Sequence, residues 1–218
     1  MPVVWRSATV CAVDQSFFEA LEAGADIVIA QGAEAGGHGV RRATMTLVPE
    51  IADLLARESP ETLLCASGGI ADGRGLAAAL ALGADGVMVG TRFWAAEEAL
   101  VHPKMHAAGI AATGDDTLRT KVTDIVRQKD WPERFDTRIV RNAFTAQWHG
   151  KEGELLTQRA AETARFNAAV SEGDATVAGL VAGEALGLIE TIEPAAQIVS
   201  RMVNEAVDVL KSTARMAR

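Results

Sequence analysis

Short apolar runs alternate with longer amphipathic segments over the first ninety or so residues of the chain. Runs of this length and composition are typical of strands that a parallel sheet buries on both faces. The predicted strands are 3–10, 26–30, 62–66 and 86–90. The predicted helices between them are 15–23, ending before Gly24, about 46–57, and about 73–82, ending at Gly83. Because strand and helix alternate, the pattern predicts an α/β fold with a parallel sheet.

A repeated element supports this reading of the first segment. Ala-Gly-Ala-Asp at 23–26 recurs as Leu-Gly-Ala-Asp at 82–85, each time where a predicted helix leads into a strand. The possible architectures are a (β/α)8 barrel and an open doubly wound sheet. A closed barrel needs eight strands and about 250 residues, whereas four strands are predicted here. Met1 and Pro2 run almost directly into the first strand, as if the chain began in the middle of a fold.

The pattern changes from about residue 96 onward. The remaining chain is predicted to be mostly helical, without alternating strands, and Pro194 lies near the first turn of the last helix. The predicted helices are 155–171, 176–186 and 194–214. The predicted organisation is an alternating α/β segment at 1–95, a mostly helical segment at 96–182, and a return segment with a C-terminal helix at 183–218.

Composition excludes some classes of partner. The chain has 218 residues, of which 49% are hydrophobic, so one domain can bury a sizeable core. Its net charge of −8 argues against nucleic acid or an anionic membrane as the main partner. Cys11 and Cys65 lie far apart without metal-ligand spacing, which predicts reduced thiols. With no signal peptide and no long apolar run, the expected location is cytoplasmic.

Glycine clusters follow three of the predicted strands. The stretch 31–39 contains four glycines and His38, a side chain that ordinarily titrates near neutral pH. Ser67-Gly68-Gly69 follows the next strand, and Gly90-Thr91-Arg92 follows the one after it. One such turn is usually structural. Three of them leading into helix N-termini offer several backbone N–H donors to one point, which predicts a phosphorylated cofactor.

The same residues carry a resemblance to a known family. The chain resembles nitronate monooxygenase, formerly called 2-nitropropane dioxygenase. The resemblance rests on 31–38, 67–75 and 83–93, with Ala-Leu-Gly-Leu-Ile at 185–189 and Glu-Pro-Ala-Ala at 193–196. It implies an FMN-containing (β/α)8 barrel with a helical substrate domain inserted late in the chain. Residues 1–95 would then be the C-terminal half of a TIM-type barrel, and 96–182 the substrate domain. It also implies oxidation of alkyl nitronates by O2 to a carbonyl compound and nitrite.

The resemblance assigns roles to particular positions. His38 matches the active-site histidine, which binds the nitronate and, in members that accept nitroalkanes, takes the α-proton as a general base. The positions matching flavin and phosphate contacts are Gln31, Gly36, Gly68, Gly69, Met88, Val89, Gly90 and Thr91. Family members begin with four further βα units that contact the flavin ring, and this chain has no counterpart of them. The expected partners are therefore a second copy or an N-terminal half, besides the nitronate and O2.

Two other functions remain open. Flavin-dependent enoyl-acyl-carrier-protein reductases share these glycine motifs, but they more often have an acidic residue at the position of Gln31. A non-catalytic remnant of the family, unable to hold flavin, is the third alternative. The colour of the purified protein and its response to NADH distinguish these three functions.

Several further residues admit both a functional and a structural role. His102 and His106 are spaced i, i+4, but without a third ligand we expect a solvent-facing helix surface and no metal site. His149 is expected in a surface loop. Trp131, Phe144 and Trp148 could line a pocket, although a core role is favoured. Arg134, Arg138 and Arg141 are expected on a solvent-facing surface, unless the substrate has a carboxylate that Arg138 or Arg141 would bind.

Overall fold

Four parallel strands organise the first part of the molecule. The computed structural model describes residues 6–216. The strands are β1 Ser7–Val10, β2 Ile27–Gln31, β3 Gly37–Gly39, β4 Leu63–Ser67, β5 Gly86–Met88, β6 Thr117–Thr120 and β7 Asp136–Val140. The parallel sheet has the order β1-β2-β4-β5. The predicted strand 3–10 begins among residues outside the described range, and its described part is β1.

Helices connect these strands and make up most of the remaining chain. They are α1 Gln15–Glu22, α2 Thr44–Glu58, α3 Gly73–Ala81, α4 Thr91–Trp94, α5 Pro103–Ile110, α6 Val122–Arg127, α7 Ala143–Trp148, α8 Glu152–Thr157, α9 Arg159–Glu172 and α10 Ala195–Met216. The predictions of α1, α2, α3 and α10 are confirmed to within a few residues. Within 6–216, no helix combines the length and apolar character that crossing a membrane requires.

The main core lies on the parallel sheet. Val28 and Leu64, which face each other in the β2–β4 register, are buried, as expected for strands covered on both faces. The apolar face of α2 packs there through Leu47, Val48, Ile51 and Leu55. Helix α10 packs against α3, where a Cβ on Gly73 would lie only 2.5 Å from the backbone nitrogen of Ala206. The four strands and their packing agree with a half-barrel, and within 6–216 the sheet does not close.

The prediction that the region after residue 96 lacks strands is wrong. Strands β6 and β7 lie within it and form a three-stranded antiparallel sheet with β3, in the order β3-β7-β6. Arg119 and Arg138 face each other in the β6–β7 register, a pairing of like charges that usually disfavours a sheet. Both strands are short and contain charged residues, so apolar periodicity does not indicate them.

Two helix predictions also need correction. Segment 176–186 is not an α-helix; it begins with a turn and bend at 176–178, continues without regular structure to 183, and enters a 3₁₀ turn at Glu184–Leu188. Gly183 lies so close to the loop after β2 that the backbone nitrogen of Glu184 donates to Glu34 O at 2.9 Å, which fixes an irregular path. The predicted helix 155–171 is split between α8 and α9. The proposed domain boundaries at 95/96 and 182/183 stay a prediction.

Asp72 is the N-cap of α3. Its carboxylate accepts from the backbone nitrogens of Arg74 and Gly75. Burial acts to raise the pKa of Asp72, but the hydrogen bonds from Arg74 and Gly75 outweigh it, so this pKa is lowered. A lowered pKa means that the stabilisation is present above the ordinary value of 3.8 and is lost as the pH falls through the folded-state value.

We therefore expect Asp72→Ala to lower the free energy of unfolding at pH 7 by about 1 kcal/mol, the usual cost of losing an N-cap. The difference from wild type should shrink below the ordinary carboxyl value of 3.8. Urea unfolding at several pH values measures both effects. Asp53→Ala, an exposed position on α2, is the control. An equal loss in both variants, or a loss for Asp72→Ala that does not depend on pH, would contradict the capping role.

Candidate functional site

A cavity of about 270 Å³ lies at the carboxyl ends of β2, β4 and β5. Every residue predicted to contact a cofactor lines it: Gln31, Gly36, Gly68, Gly69, Met88, Val89, Gly90 and Thr91. Trp94, Val181 and Ala185 complete part of its wall. Parallel strands bring their carboxyl ends together at one edge, so residues distant in sequence meet here.

Glycines give this cavity an open floor. Gly68 and Gly69 have φ angles of +104° and +74°, a region that favours glycine. A Cβ on Gly90 would have no heavy atom within 4 Å apart from its chain neighbours, so this position borders open space. The backbone N–H groups of Gly68, Gly69 and Gly90 donate to no other residue in the described part of the chain. The cavity therefore offers backbone donors and room for a group that accepts hydrogen bonds.

Thr91 adds a side-chain donor. Its Oγ1 accepts a hydrogen bond from the backbone nitrogen of Gly183 at 2.9 Å. Because this bond uses an oxygen lone pair, the hydroxyl proton remains available to donate. The same bond holds the extended segment after residue 181 against the end of β5. Gly36 permits this approach, since a Cβ there would lie 2.6 Å from the carbonyl carbon of Ala182.

Two of the helix N-termini expected to face the phosphate are occupied by carboxylates of the chain itself. Both carboxylate oxygens of Glu34 accept from the backbone nitrogen of Thr44 at the start of α2. The start of α3 is capped by Asp72, and Glu205 accepts from the backbone nitrogen of Gly73. The donors left for an anion are therefore in the loops, and the expected contribution of these two helix ends is wrong.

His38 lies on β3, where a carboxylate and a hydroxyl hold its imidazole. Its Nε2 is 2.9 and 3.0 Å from the carboxylate oxygens of Asp124 on α6 and 2.7 Å from Thr137 Oγ1 on β7. Thr137 Oγ1 also donates to the same carboxylate at 3.1 Å. The side chains of His38 and Asp124 are 18% and 7% exposed. The imidazole is therefore fixed at one nitrogen in a largely buried setting.

Trp131 covers one face of this imidazole. The ring centroids of His38 and Trp131 are 3.8 Å apart, and the planes are inclined by 13°, which is a stacked arrangement. Trp131 itself is 45% exposed. The favoured core role is thus wrong for Trp131, but it is confirmed for Phe144 and Trp148, which are buried in the cluster between α6, α7 and α9.

The side chain of Gln31 links β3, which contains His38, to the glycine-lined cavity. Its Nε2 donates to the backbone oxygen of His38 at 2.5 Å, and the residue also lines the cavity. The nearby Cys11 thiol is buried, which raises its pKa. Both cysteines are free, as expected. Gln31 therefore fixes the position of β3 relative to the ends of the parallel strands.

Two arginines hold the loop between β2 and β3. Arg119 Nη2 and Arg138 Nε each donate to the backbone oxygen of Ala33 at 2.9 Å. Arg138 also forms an ion pair with Glu184 at 2.8 Å, and its side chain is only 12% exposed. Burial lowers the pKa of Arg119. The expectation of a solvent-facing surface is therefore wrong for Arg138, which has a structural role in holding this loop.

The remaining candidates have structural positions. His106 is buried, and its Nε2 lies 2.9 Å from Trp94 O, so the expected solvent-facing surface is wrong for this histidine. His102 is the N-cap of α5 and accepts from the backbone nitrogen of Lys104. In the described range, no group of three His, Cys, Asp or Glu side chains could hold a metal ion. His149 is half exposed and lies 3.1 Å from Thr120 Oγ1.

The fold and cavity define an α/β protein with a glycine-lined cavity at the carboxyl edge of a parallel sheet. Residues 4–205 match the family model for nitronate monooxygenase, and the chain belongs to this family. It is 38% identical over 197 residues to a nitronate monooxygenase of Neurospora crassa, covering 86% of this chain and 50% of that protein. It is 37% identical to nitronate monooxygenase npaC of Metarhizium robertsii, covering 90% and 58%.

A solved structure gives a similar picture. FabK from Thermotoga maritima aligns with a TM-score of 0.82 and 32% identity, covering 96% of this chain and 63% of that protein. The chain thus spans between 50% and 58% of the length of the two nitronate monooxygenases it matches.

Proposed function

We propose that the glycine-lined cavity holds the phosphate end of FMN in an enzyme that oxidises alkyl nitronates with O2. The observation behind this proposal is that all eight residues matched to flavin contacts line one cavity, although they come from three strand ends. The unpaired N–H groups of Gly68, Gly69 and Gly90 would donate to phosphate oxygens, and so would the Thr91 hydroxyl. Bound flavin would accept electrons from the nitronate and pass them to O2.

His38 would act on the substrate rather than on the phosphate. The Asp124 carboxylate accepts hydrogen bonds, so it favours the imidazole form with its proton on Nε2. Nδ1 then has a free lone pair, and no other described residue bonds to it. This nitrogen would take the α-proton of a nitroalkane or, once protonated, bind the anionic nitronate. Asp124 is a positioning residue here, because it acts through His38.

A double-mutant cycle tests the role of Asp124. Asp124→Asn keeps the shape of the side chain but can present an amide N–H to Nε2, which favours the wrong tautomer. We expect kcat to fall about 10²-fold or more, with little change in KM, FMN content or Tm. Since Asp124 acts through His38, the double variant with His38→Ala should be no slower than His38→Ala alone.

Additive losses in this cycle would contradict the positioning role. So would a loss of Tm large enough to account for the lower rate. Thr123→Val is the matched control, because Thr123 is the buried neighbour of Asp124 and its hydroxyl has no partner within the described range. This control should leave kcat within about threefold of wild type.

An enoyl-acyl-carrier-protein reductase is the second candidate function. The likeness to FabK fits this alternative in part. Gln31 favours the nitronate reaction, because these reductases more often have an acidic residue at its position. Anaerobic mixing with NADH separates the two: bleaching of the flavin by NADH supports the reductase, whereas bleaching by a nitronate and reoxidation by O2 support the oxidase. A protein that stays colourless with added FMN would be a remnant.

We further propose that the chain works with a second copy or with an N-terminal half like that of its relatives. The parallel sheet has an edge strand on each side, β1 and β5, and each leaves one side of its backbone unpaired in the described structure. Light scattering of the chain expressed alone should show a dimer or aggregates, and co-expression with the N-terminal half of a relative should solubilise it. A stable monomer that unfolds cooperatively would contradict this proposal.

A further inference from the structure

A groove lies beside the glycine-lined cavity and differs from it in chemical character. Its volume is about 490 Å³, compared with about 270 Å³ for the glycine-lined cavity. It is formed by the start of α5, the loop before it, the outer part of α9, the end of α6 and the segment 178–181. None of the site residues predicted from the sequence lines this groove, which we call the α5–α9 groove.

The walls of the α5–α9 groove are largely apolar. Phe166 and Leu180 form its buried part, while Leu100 is fully exposed at 104% and Val170 at 51%. Large apolar side chains that converge on one concave surface and remain open to water are typical of a ligand site. The groove therefore suits an aliphatic chain better than a polar metabolite.

The polar groups of the groove are basic. Arg127, at the end of α6, is exposed and forms no ion pair or hydrogen bond with any residue in 6–216. The other basic side chain is His102. Glu172 and Asp174, the acidic residues at the end of α9 and just after it, do not line the groove. The Asp174 carboxylate accepts from Thr176 Oγ1, and the backbone oxygen of Glu172 accepts from Lys104 Nζ. In a chain with a net charge of −8, a free guanidinium beside an apolar groove matches an anionic group.

The groove also adjoins the cofactor cavity, because Trp94 and Val181 line both. From these observations we propose that the α5–α9 groove binds an aliphatic carboxylate, with its chain against Leu100, Phe166 and Val170 and its carboxylate at Arg127. A ligand there would also contact Trp94, which lines both cavities. This proposal concerns binding alone and does not depend on FMN or on turnover of a nitronate.

Calorimetric titration of the full chain with octanoate tests the proposal, with octan-1-ol as the uncharged probe. We expect saturable binding of octanoate in the micromolar range and weaker binding of the alcohol. Arg127→Gln should weaken octanoate binding about tenfold and leave octan-1-ol binding within about twofold. Val170→Asp, on the exposed side of α9, should weaken the binding of both probes at least tenfold. Arg57→Gln, at an exposed site on α2, is the control and should change neither.

Thermal unfolding of each variant shows whether it folds, and Leu100→Asp replaces Val170→Asp if that variant does not. The proposal is overturned if wild type shows no saturable octanoate binding below about a millimolar. It is also overturned if Arg127→Gln binds octanoate as wild type does, or if aspartate at position 170 or 100 leaves binding intact. Loss of FMN binding in a separate assay would contradict the proposed function and leave this result unaffected.

Discussion

Replacing Gly90 with valine is expected to weaken FMN binding at least tenfold, or by about 1.4 kcal/mol or more. A Cβ on Gly90 would have no heavy atom within 4 Å besides its chain neighbours, and its φ of −100° is ordinary for any residue. The variant should therefore fold normally. Its branched side chain would fill the space that we assign to the phosphate. Fluorescence titration of FMN, which is quenched on binding, measures the change.

Gly153 provides a matched control for this substitution. A Cβ on Gly153 also has no heavy atom within 4 Å, but the residue lies in α8, away from the cofactor cavity. Gly153→Val should bind FMN as wild type does. Equal FMN affinity for Gly90→Val and wild type would contradict the phosphate assignment. Gly69→Val should also expel FMN but is a weaker test, because its φ of +74° strains any substituted residue.

Replacing His38 with alanine is expected to lower kcat for a nitroalkane by about 10²- to 10⁴-fold, the usual contribution of a general base, and to raise KM for a preformed nitronate, which the imidazole would bind. The imidazole would serve the substrate, so the FMN content per chain should remain close to that of wild type. Rates are compared per bound FMN. They are measured in whichever preparation is active, the chain alone or the chain with the N-terminal half of a relative. Oxygen consumption and nitrite release measure the loss independently.

His149→Ala is the control for this substitution, because His149 is a half-exposed histidine with a single hydroxyl contact to Thr120. It should retain turnover within about twofold. The opposite pattern for His38→Ala, in which flavin is lost but turnover per bound FMN persists, would contradict the catalytic role. It would instead show that His38 supports the cofactor site.

Sequence patterns predicted the parallel sheet because its inner strand β2 is buried on both faces, as the successive buried residues Val28, Ile29 and Ala30 show. Strands such as β2 and β4 are uninterrupted apolar runs, and glycines follow each of them at the edge where the cavity forms. The αβ alternation places such strand ends together, so the sequence alone predicts that Gly69 and Gly90 belong to one site. The positive φ angles of Gly68 and Gly69 agree with the sharp turns expected there.

The partners of His38 could not be predicted in this way. Asp124 and Thr137 lie 86 and 99 positions further along the chain and meet the imidazole only because β3 pairs with β7. That pairing was missed because β3 has only three residues, Gly-His-Gly, and β7 has charged residues among its apolar ones. The two strands are stabilised by long-range contacts, such as the bonds of Arg119 and Arg138 to Ala33 O, which leave no periodic pattern.

Comparing the affinities of the chain for FMN and for riboflavin tests most directly whether the glycine-lined cavity holds the phosphate of FMN. The two ligands differ only in the phosphate. The ratio of their dissociation constants therefore isolates the contribution of the proposed phosphate donors at Gly69, Gly90 and Thr91. We expect saturable FMN binding at about one per chain, at least tenfold tighter than riboflavin, with this preference lost in Gly90→Val. Equal affinity for the two flavins, or no binding of either, would contradict it.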